Sequence, residues 1–264
     1  GEYRRQRQMC IRDRYMIVQM IGIVSAQGVL ALGNPNGYSL FIIISILVSI
    51  SFAPILLSVS PTPAFERTKP MSLAQLFRSS PLGCVGMFLL GGVFSAQFGM
   101  SAVFGSQIGL SLSKISLFVA AFYIGAMIFQ YPIGWMSDRM DRRLLILLIS
   151  ASSAGGSVFA YFAGDYFFAL VFAAFLVGGL SNPLYSLIIA HANDFIEYED
   201  MASAAAGLLF VNGIGAISGP LILGYAMNAF GPEIFFVIIF LLMSTLAAYA
   251  AVSYTHLTLP TIFA

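Results

Sequence analysis

The densest set of side chains able to do acid–base chemistry lies between positions 191 and 200: His191, Asn193 and Asp194, followed by Glu197, Glu199 and Asp200. A hydrolase or transferase working at a membrane surface could use such a set. Its spacing matches no metal site, however, and the chain carries no Cys/His cluster at metal spacing, no phosphate-cradling GxxxxGK and no Gly-x-Ser-x-Gly elbow. The simpler account is an acidic turn facing a second charged knot, GWMSDRMDRR, which runs from Gly134 to Arg143. Two long stretches almost free of charge flank that knot, so it must be a short turn at a membrane face. No catalytic residue, metal or cofactor is expected.

The elements that hold these residues are membrane-length helices. Hydrophobic residues make up 59% of the chain and charged residues 9%, with a mean hydropathy of +0.91; a soluble domain carries about 25% charged residues. A bilayer core roughly 30 Å thick needs about 20 apolar residues per helix. Eight segments qualify: 16–32, 38–58, 81–104, 115–136, 144–163, 166–190, 203–229 and 233–252. Their lengths exclude a β-barrel, whose strands would be about ten residues of alternating polarity. The fold class is therefore all-α integral membrane.

Charge placement gives the orientation. The segments 59–80 and 137–143 hold Arg67, Lys69, Arg78, Arg139, Arg142 and Arg143, whereas the loops on the other side offer only Lys114. The positive-inside rule puts the first group in the cytoplasm. Residues 1–14 and 253–264 break the apolar pattern sharply and are similar to translated sequencing-adapter remnants, so both are expected to be non-native. Without them the basic excess disappears, and no nucleic-acid partner is implied. Cys84 and Cys10 suggest no disulfide framework.

Gly134, Asp138, Arg139, Arg142 and Arg143 match a loop signature of Gly, three variable residues, Asp, Arg, a variable residue, Gly and a basic pair. In this the chain resembles the major facilitator superfamily. Asp141 stands where the signature has its second Gly, the residue type most tolerant of positive φ. The resemblance implies twelve helices in two six-helix halves, with the signature loop between the second and third helix of a half. Counted from Gly134, residues 81–252 form a complete C-terminal half and residues 15–58 the last two helices of the N-terminal half. Residues 59–80 are the cytoplasmic bridge, in which MSLAQLFRSS is either a short amphipathic helix or an irregular linker. The eight segments would be the last eight of twelve helices.

The resemblance also assigns the first, second, fourth and fifth helices of each half to the cavity wall. Uncharged polar residues at mid-helix there are the substrate candidates: Gln27, Gln97, Tyr123, Gln130, Asn182, Tyr185 and Asn212. Each could equally make a helix–helix hydrogen bond. Gly215 and Gly219, one turn apart beside Pro220, suit close helix packing, as do the pairs Gly91–Gly92, Gly155–Gly156 and Gly178–Gly179. Pro54, Pro132 and Pro183 are expected to kink their helices, and Phe235, Phe236 and Phe240 to face lipid. Gly134, Asp138, Arg139, Arg142, Arg143 and Asp194 form a conformational latch in this reading: Asp194 orients Arg139 and Arg142, and Asp138 reaches the start of the fifth helix near Tyr15 to Val18.

The function implied is a secondary transporter in the cell (inner) membrane that moves a small organic solute by alternating access. The alternatives are an integral membrane enzyme using the turn 191–200, or a non-transporting receptor of the same fold. The expected partners are a small-molecule substrate and the lipid bilayer, with no nucleic acid and a monomeric state. A coupled proton stays open, because no Asp, Glu, Lys or Arg lies near the middle of any of the eight segments.

Overall fold

The computed structural model describes residues 18–30, 37–57, 71–164 and 166–262, with backbone only at 55 and at 256–262. The helices are α1 (Val18–Leu30), α2 (Ser39–Ser51), α3 (Leu73–Ser79), α4 (Pro81–Gln107), α5 (Leu112–Ser137), α6 (Arg142–Phe162), α7 (Phe167–Asn193), α8 (Met201–Phe230) and α9 (Ile234–Ile262). A short turn of helix, Ala53–Leu56, follows α2, and a 3-10 turn, Tyr198–Asp200, leads into α8. No strand occurs among the described residues.

Six of these helices, α4 to α9, are long and apolar enough to cross a membrane. The shortest, α6, has 21 residues, about 30 Å at 1.5 Å per residue. The described parts of the two upstream segments are shorter helices; α2 has 13 residues, about 20 Å against a hydrocarbon core of roughly 30 Å. Among the described residues six helices are thus long and apolar enough to span, where the sequence suggested eight. The expected leader 1–14, the region Tyr15 to Ile17 and the bridge up to Pro70 lie outside the described residues. At the other end α9 runs past residue 252 to Ile262.

Local chemistry explains several boundaries. The linker ends in a true helix, α3, because Ser72 and Gln75 form a reciprocal capping box at its start. Leu76 buries itself beneath α8, against Gly207, and the Met71 N–H donates to Ser203 Oγ at 2.7 Å. The signature turn closes without a left-handed residue. Asp141 has φ −57° and caps α6, accepting from the Arg143 N–H at 2.7 Å and the Leu144 N–H at 3.3 Å. A carboxylate at a helix start is favourable, so Asp here supplies a cap that Gly could not.

The closest pairings are α5 with α7, α4 with α8 and α6 with α9, supported by α6 with α7 and by α4 with both α7 and α9. Exchanging α4 with α7, α5 with α8 and α6 with α9 maps this set onto itself, as an inverted three-plus-three repeat would. Two crossings bring backbones together. A Cβ at Gly125 would lie 2.0 Å from the Phe175 carbonyl oxygen, and one at Gly91 would lie 2.1 Å from that of Asn212. Between helices in lipid the hydrophobic effect is weak, so such small-residue contacts carry the association.

The end of the bundle away from the signature turn is filled by rings. Phe235 and Phe236 are fully buried there, with centroids 4.8 and 5.4 Å from Phe104. This corrects the expectation that they face lipid. A peripheral helix can still turn one face inward, and α9 packs that face against α6 and α4. Phe240 is half-buried beside the core.

Candidate functional site

Halfway along α4 the regular helix gives way to one π turn, Ala96–Met100. Such turns leave a carbonyl out of register and often sit at functional positions. Here the Ser101 hydroxyl donates to the Gln97 carbonyl at 2.6 Å. The π turn aims the Gln97 side chain at α7. Gln97 Nε2 donates to Ser181 Oγ at 2.7 Å, and Asn182 Nδ2 donates to Gln97 Oε1 at 3.0 Å and to the Gly178 carbonyl at 2.9 Å. Ser181 completes the chain by donating to the Val177 carbonyl at 2.7 Å. Every member is buried. A buried amide without such partners would cost on the order of 1–3 kcal/mol, so this closed network fixes α4 against α7 at one register.

Beside the network stands a ladder of rings drawn from three helices. Tyr123 of α5 stacks on Phe98 at 5.2 Å, Phe98 on Phe94 at 5.3 Å, and Phe94 meets Tyr185 of α7 at 6.1 Å. Tyr123 is buried, Phe94 and Tyr185 are half-buried, and Phe98 is exposed. The structure thus brings together Gln97, Tyr123, Asn182 and Tyr185. It adds Ser181, Phe94 and Phe98, none of which the sequence singled out. Phe98 adjoins Gln97 in the chain, but no residue pattern announces the π turn that separates their directions.

The other candidates lie elsewhere. Asn212 of α8 is buried, and its Nδ2 donates to the Met87 carbonyl of α4 at 2.9 Å. Gln130 reaches Ser186 Oγ at 3.4 Å, nearer the signature turn. Gln27 sits half-buried on α1, whose Met20, Ile23 and Val24 pack on the bundle. Both α5 and α7 continue as helix through Pro132 and Pro183.

At the signature turn Arg142 is the stitch. Its Nη1 forms an ion pair with Asp194 and donates to the Ala190 carbonyl at 3.4 Å, while its Nε donates to Ser137 Oγ at 3.3 Å. A cation among the last carbonyls of α7 also suits that helix's dipole. Arg139 does not share Asp194, contrary to the sequence reading. Its guanidinium lies 4.1 Å from the centre of the Trp135 ring and its Nη1 donates to the Trp135 carbonyl at 3.2 Å; one helical turn of separation favours that local stack. Arg143 lies over Phe195 at 5.3 Å. Asp138 is exposed, and its carboxylate has no hydrogen bond or ion pair among the described residues. Gln130, Gly134, Asp138, Arg142 and Ser186 border a cleft of about 60 Å³ between α5 and α7. A Cβ on Gly134 would meet nothing within 4 Å.

The acid–base set at 191–200 does not converge. The His191 ring turns to Phe195, Asp194 turns to Arg142, and Glu199 and Asp200 belong to the turn before α8.

Six membrane-length apolar helices in inverted pairing, with a polar network at mid-helix and a charged turn between the second and third, mark an integral membrane protein. The family model of the Major Facilitator Superfamily matches residues 83–261, and the chain belongs to that superfamily. It is 24% identical over 227 residues to an uncharacterized MFS-type transporter of Yersinia pestis (strain Pestoides F), covering 85% of this chain and 58% of that protein. Similar to it too is the uncharacterized MFS-type transporter YcaD of Escherichia coli O17:K52:H18, 25% identical over 178 residues, 66% of this chain and 44% of that protein. The chain spans about three-fifths of the length of the Yersinia relative.

Proposed function

We propose that this chain is the larger part of a secondary transporter that carries a small organic solute across the cell (inner) membrane by alternating access. In this reading α4 to α9 are the C-terminal half, and α1 and α2 are described parts of two further spans from the N-terminal half. The observation that carries it is the ring ladder Tyr123–Phe98–Phe94–Tyr185 beside the sealed Gln97–Ser181–Asn182 network. The network holds the π turn, the π turn presents Phe98, and an exposed ring in an uncharged wall suits a solute with an apolar or planar portion. The full-length protein, restored with its upstream helices, tests this in proteoliposome uptake. Phe98→Ala should raise KM several-fold with the protein still folded, and Asn182→Ala, which leaves Gln97 Oε1 without its donor, should lower uptake further. Unchanged kinetics in both would remove the site assignment.

The latch is the second part of the proposal. Asp138 stands unpaired at the end of α5 while Arg142 and Asp194 anchor its turn. A carboxylate so placed can meet the start of the fifth helix of the whole protein, where helix N–H groups offer roughly 0.3–1 kcal/mol, and up to about 2 when partly buried. Opening toward the cytoplasm must break that contact. Asp138→Asn in the full-length protein should therefore shift the population toward inward-facing. Spin-label distances across the two cytoplasmic faces read this directly, and an unchanged distribution would sink the latch.

A further inference from the structure

A second cavity, of about 320 Å³, opens on the face of the signature turn, away from the ladder. Its walls come from the start of α4, the start of α6, the end of α7 and the later part of α9, and none of its lining residues is acidic. The volume sits at the lower end of the range for ligand pockets, roughly 300–1,000 Å³.

His191 gives the cavity its character. The residue is 4% exposed and lines the space, its ring centroid is 5.1 Å from that of Phe195, and neither ring nitrogen makes a hydrogen bond among the described residues. No protein group among the described residues bonds its ring nitrogens, so a polar occupant of the cavity can do so. Two further donors converge on the same space. Arg143 lies over Phe195 and forms no ion pair among the described residues, since Asp194 belongs to Arg142 and Asp141 caps α6. At the start of α4, Pro81 has no N–H, and the Gly83 N–H is taken by Ser80 Oγ at 3.2 Å. The Leu82 N–H is the remaining donor of that first turn, at the positive end of a long helix dipole. Tyr249 adds a phenol from α9.

We propose that this cavity binds a phosphate group, held by Arg143, His191 and the first turn of α4. Donors arriving from three helices suit an anion with several oxygens, a guanidinium matches phosphate in a two-bond fork, and a helix start is a ready anion seat. The same chemistry is offered by a phospholipid headgroup and by soluble phosphate. The site lies at the ends of four spans, where headgroups would be, and exposed Phe195 and Val252 on its wall offer acyl chains an apolar border.

The test uses the whole 264-residue chain carrying His256→Gln, which leaves His191 as the single histidine. Histidine-labelled protein in phosphatidylcholine nanodiscs is titrated with phosphatidylglycerol in one arm and with inorganic phosphate in the other, and the ring nitrogen signals are followed by NMR. A saturable shift is expected. Arg143→Gln should weaken half-saturation by about tenfold or more, the loss expected for a charge-assisted hydrogen bond. Lys114→Gln, at the opposite end of the bundle, should leave it unchanged. Should Arg143→Gln fail to fold, Arg143→Lys keeps the charge, loses the fork and should show a smaller weakening. A response to phosphatidylglycerol alone makes the occupant a lipid, and a response to inorganic phosphate makes it a soluble anion. No saturable shift in either arm, or equal affinity with Arg143 replaced, overturns the site.

Discussion

The α5–α7 and α4–α8 crossings occupy equivalent places in the inverted repeat, yet they are built to different strengths. Both rest on glycines that let backbone touch backbone: Gly125 with Gly178 in the first, Gly91 with Gly215 in the second. The first is flanked by polar devices, with the Gln97–Ser181–Asn182 network on one side, Gln130–Ser186 toward the turn and Arg142–Asp194 at its end. The second has Asn212 bonded to the Met87 carbonyl. Its outer helix also turns much of its surface outward, with Ile217 73%, Leu221 74% and Tyr225 76% exposed. Polar contacts flank the first crossing on several sides, whereas the second has fewer and much of the α8 surface beyond it faces outward among the described residues.

Filling the crossings gives the largest expected effect. Gly125→Val would drive side-chain atoms into the Phe175 carbonyl and should cost about 3 kcal/mol or more, because backbone on both sides cannot yield. Gly91→Val meets the Asn212 backbone at a similar distance, but α8 can shift outward, so the loss should be visibly smaller. Melting in detergent, followed by a thiol-reactive dye at buried Cys84 after Cys10→Ser, ranks the two. Equal losses would break the proposed difference between the crossings.

The polar bonds come next. Asn182→Ala removes two hydrogen bonds and leaves Gln97 Oε1 buried without its donor, so about 1.5–3 kcal/mol is expected. Asn212→Ala removes one bond to a carbonyl that already serves its own helix, and about 0.5–1.5 kcal/mol should follow. The same melting assay checks the ranking; a larger loss at Asn212 would mean that α4–α8 is the better-held pair. The smallest effect is expected at Gly134→Ala, within about 0.5 kcal/mol, since nothing lies within 4 Å of the added methyl. A cost comparable to Gly125→Val would show that Gly134 is packed after all.

The chain's apolar runs were enough to place all six spans to within a few residues, except where α9 continues past 252. A run of 20 apolar residues in lipid has to satisfy its own backbone, and only a helix does so within one segment. The charged turn was legible for the same reason: charges are excluded from the bilayer core, so Gly134 to Arg143 had to mark an end. The pairing of Arg142 with Asp194 followed from their being opposite charges at neighbouring helix ends. What the sequence could not decide were choices among equivalent partners. Arg139 and Arg142 are both within reach of an acid, and only the packed turn gave Asp194 to Arg142 and Trp135 to Arg139. Phe235 and Phe236 are as apolar as any lipid-facing ring, and only the aromatic cluster at Phe104 drew them inward. The π turn at Ala96–Met100 has no signature of its own, since it exists where Gln97 finds Ser181 and Asn182 on another helix. Composition sets which residues leave water, but neighbours far away in the chain set which way each one then faces.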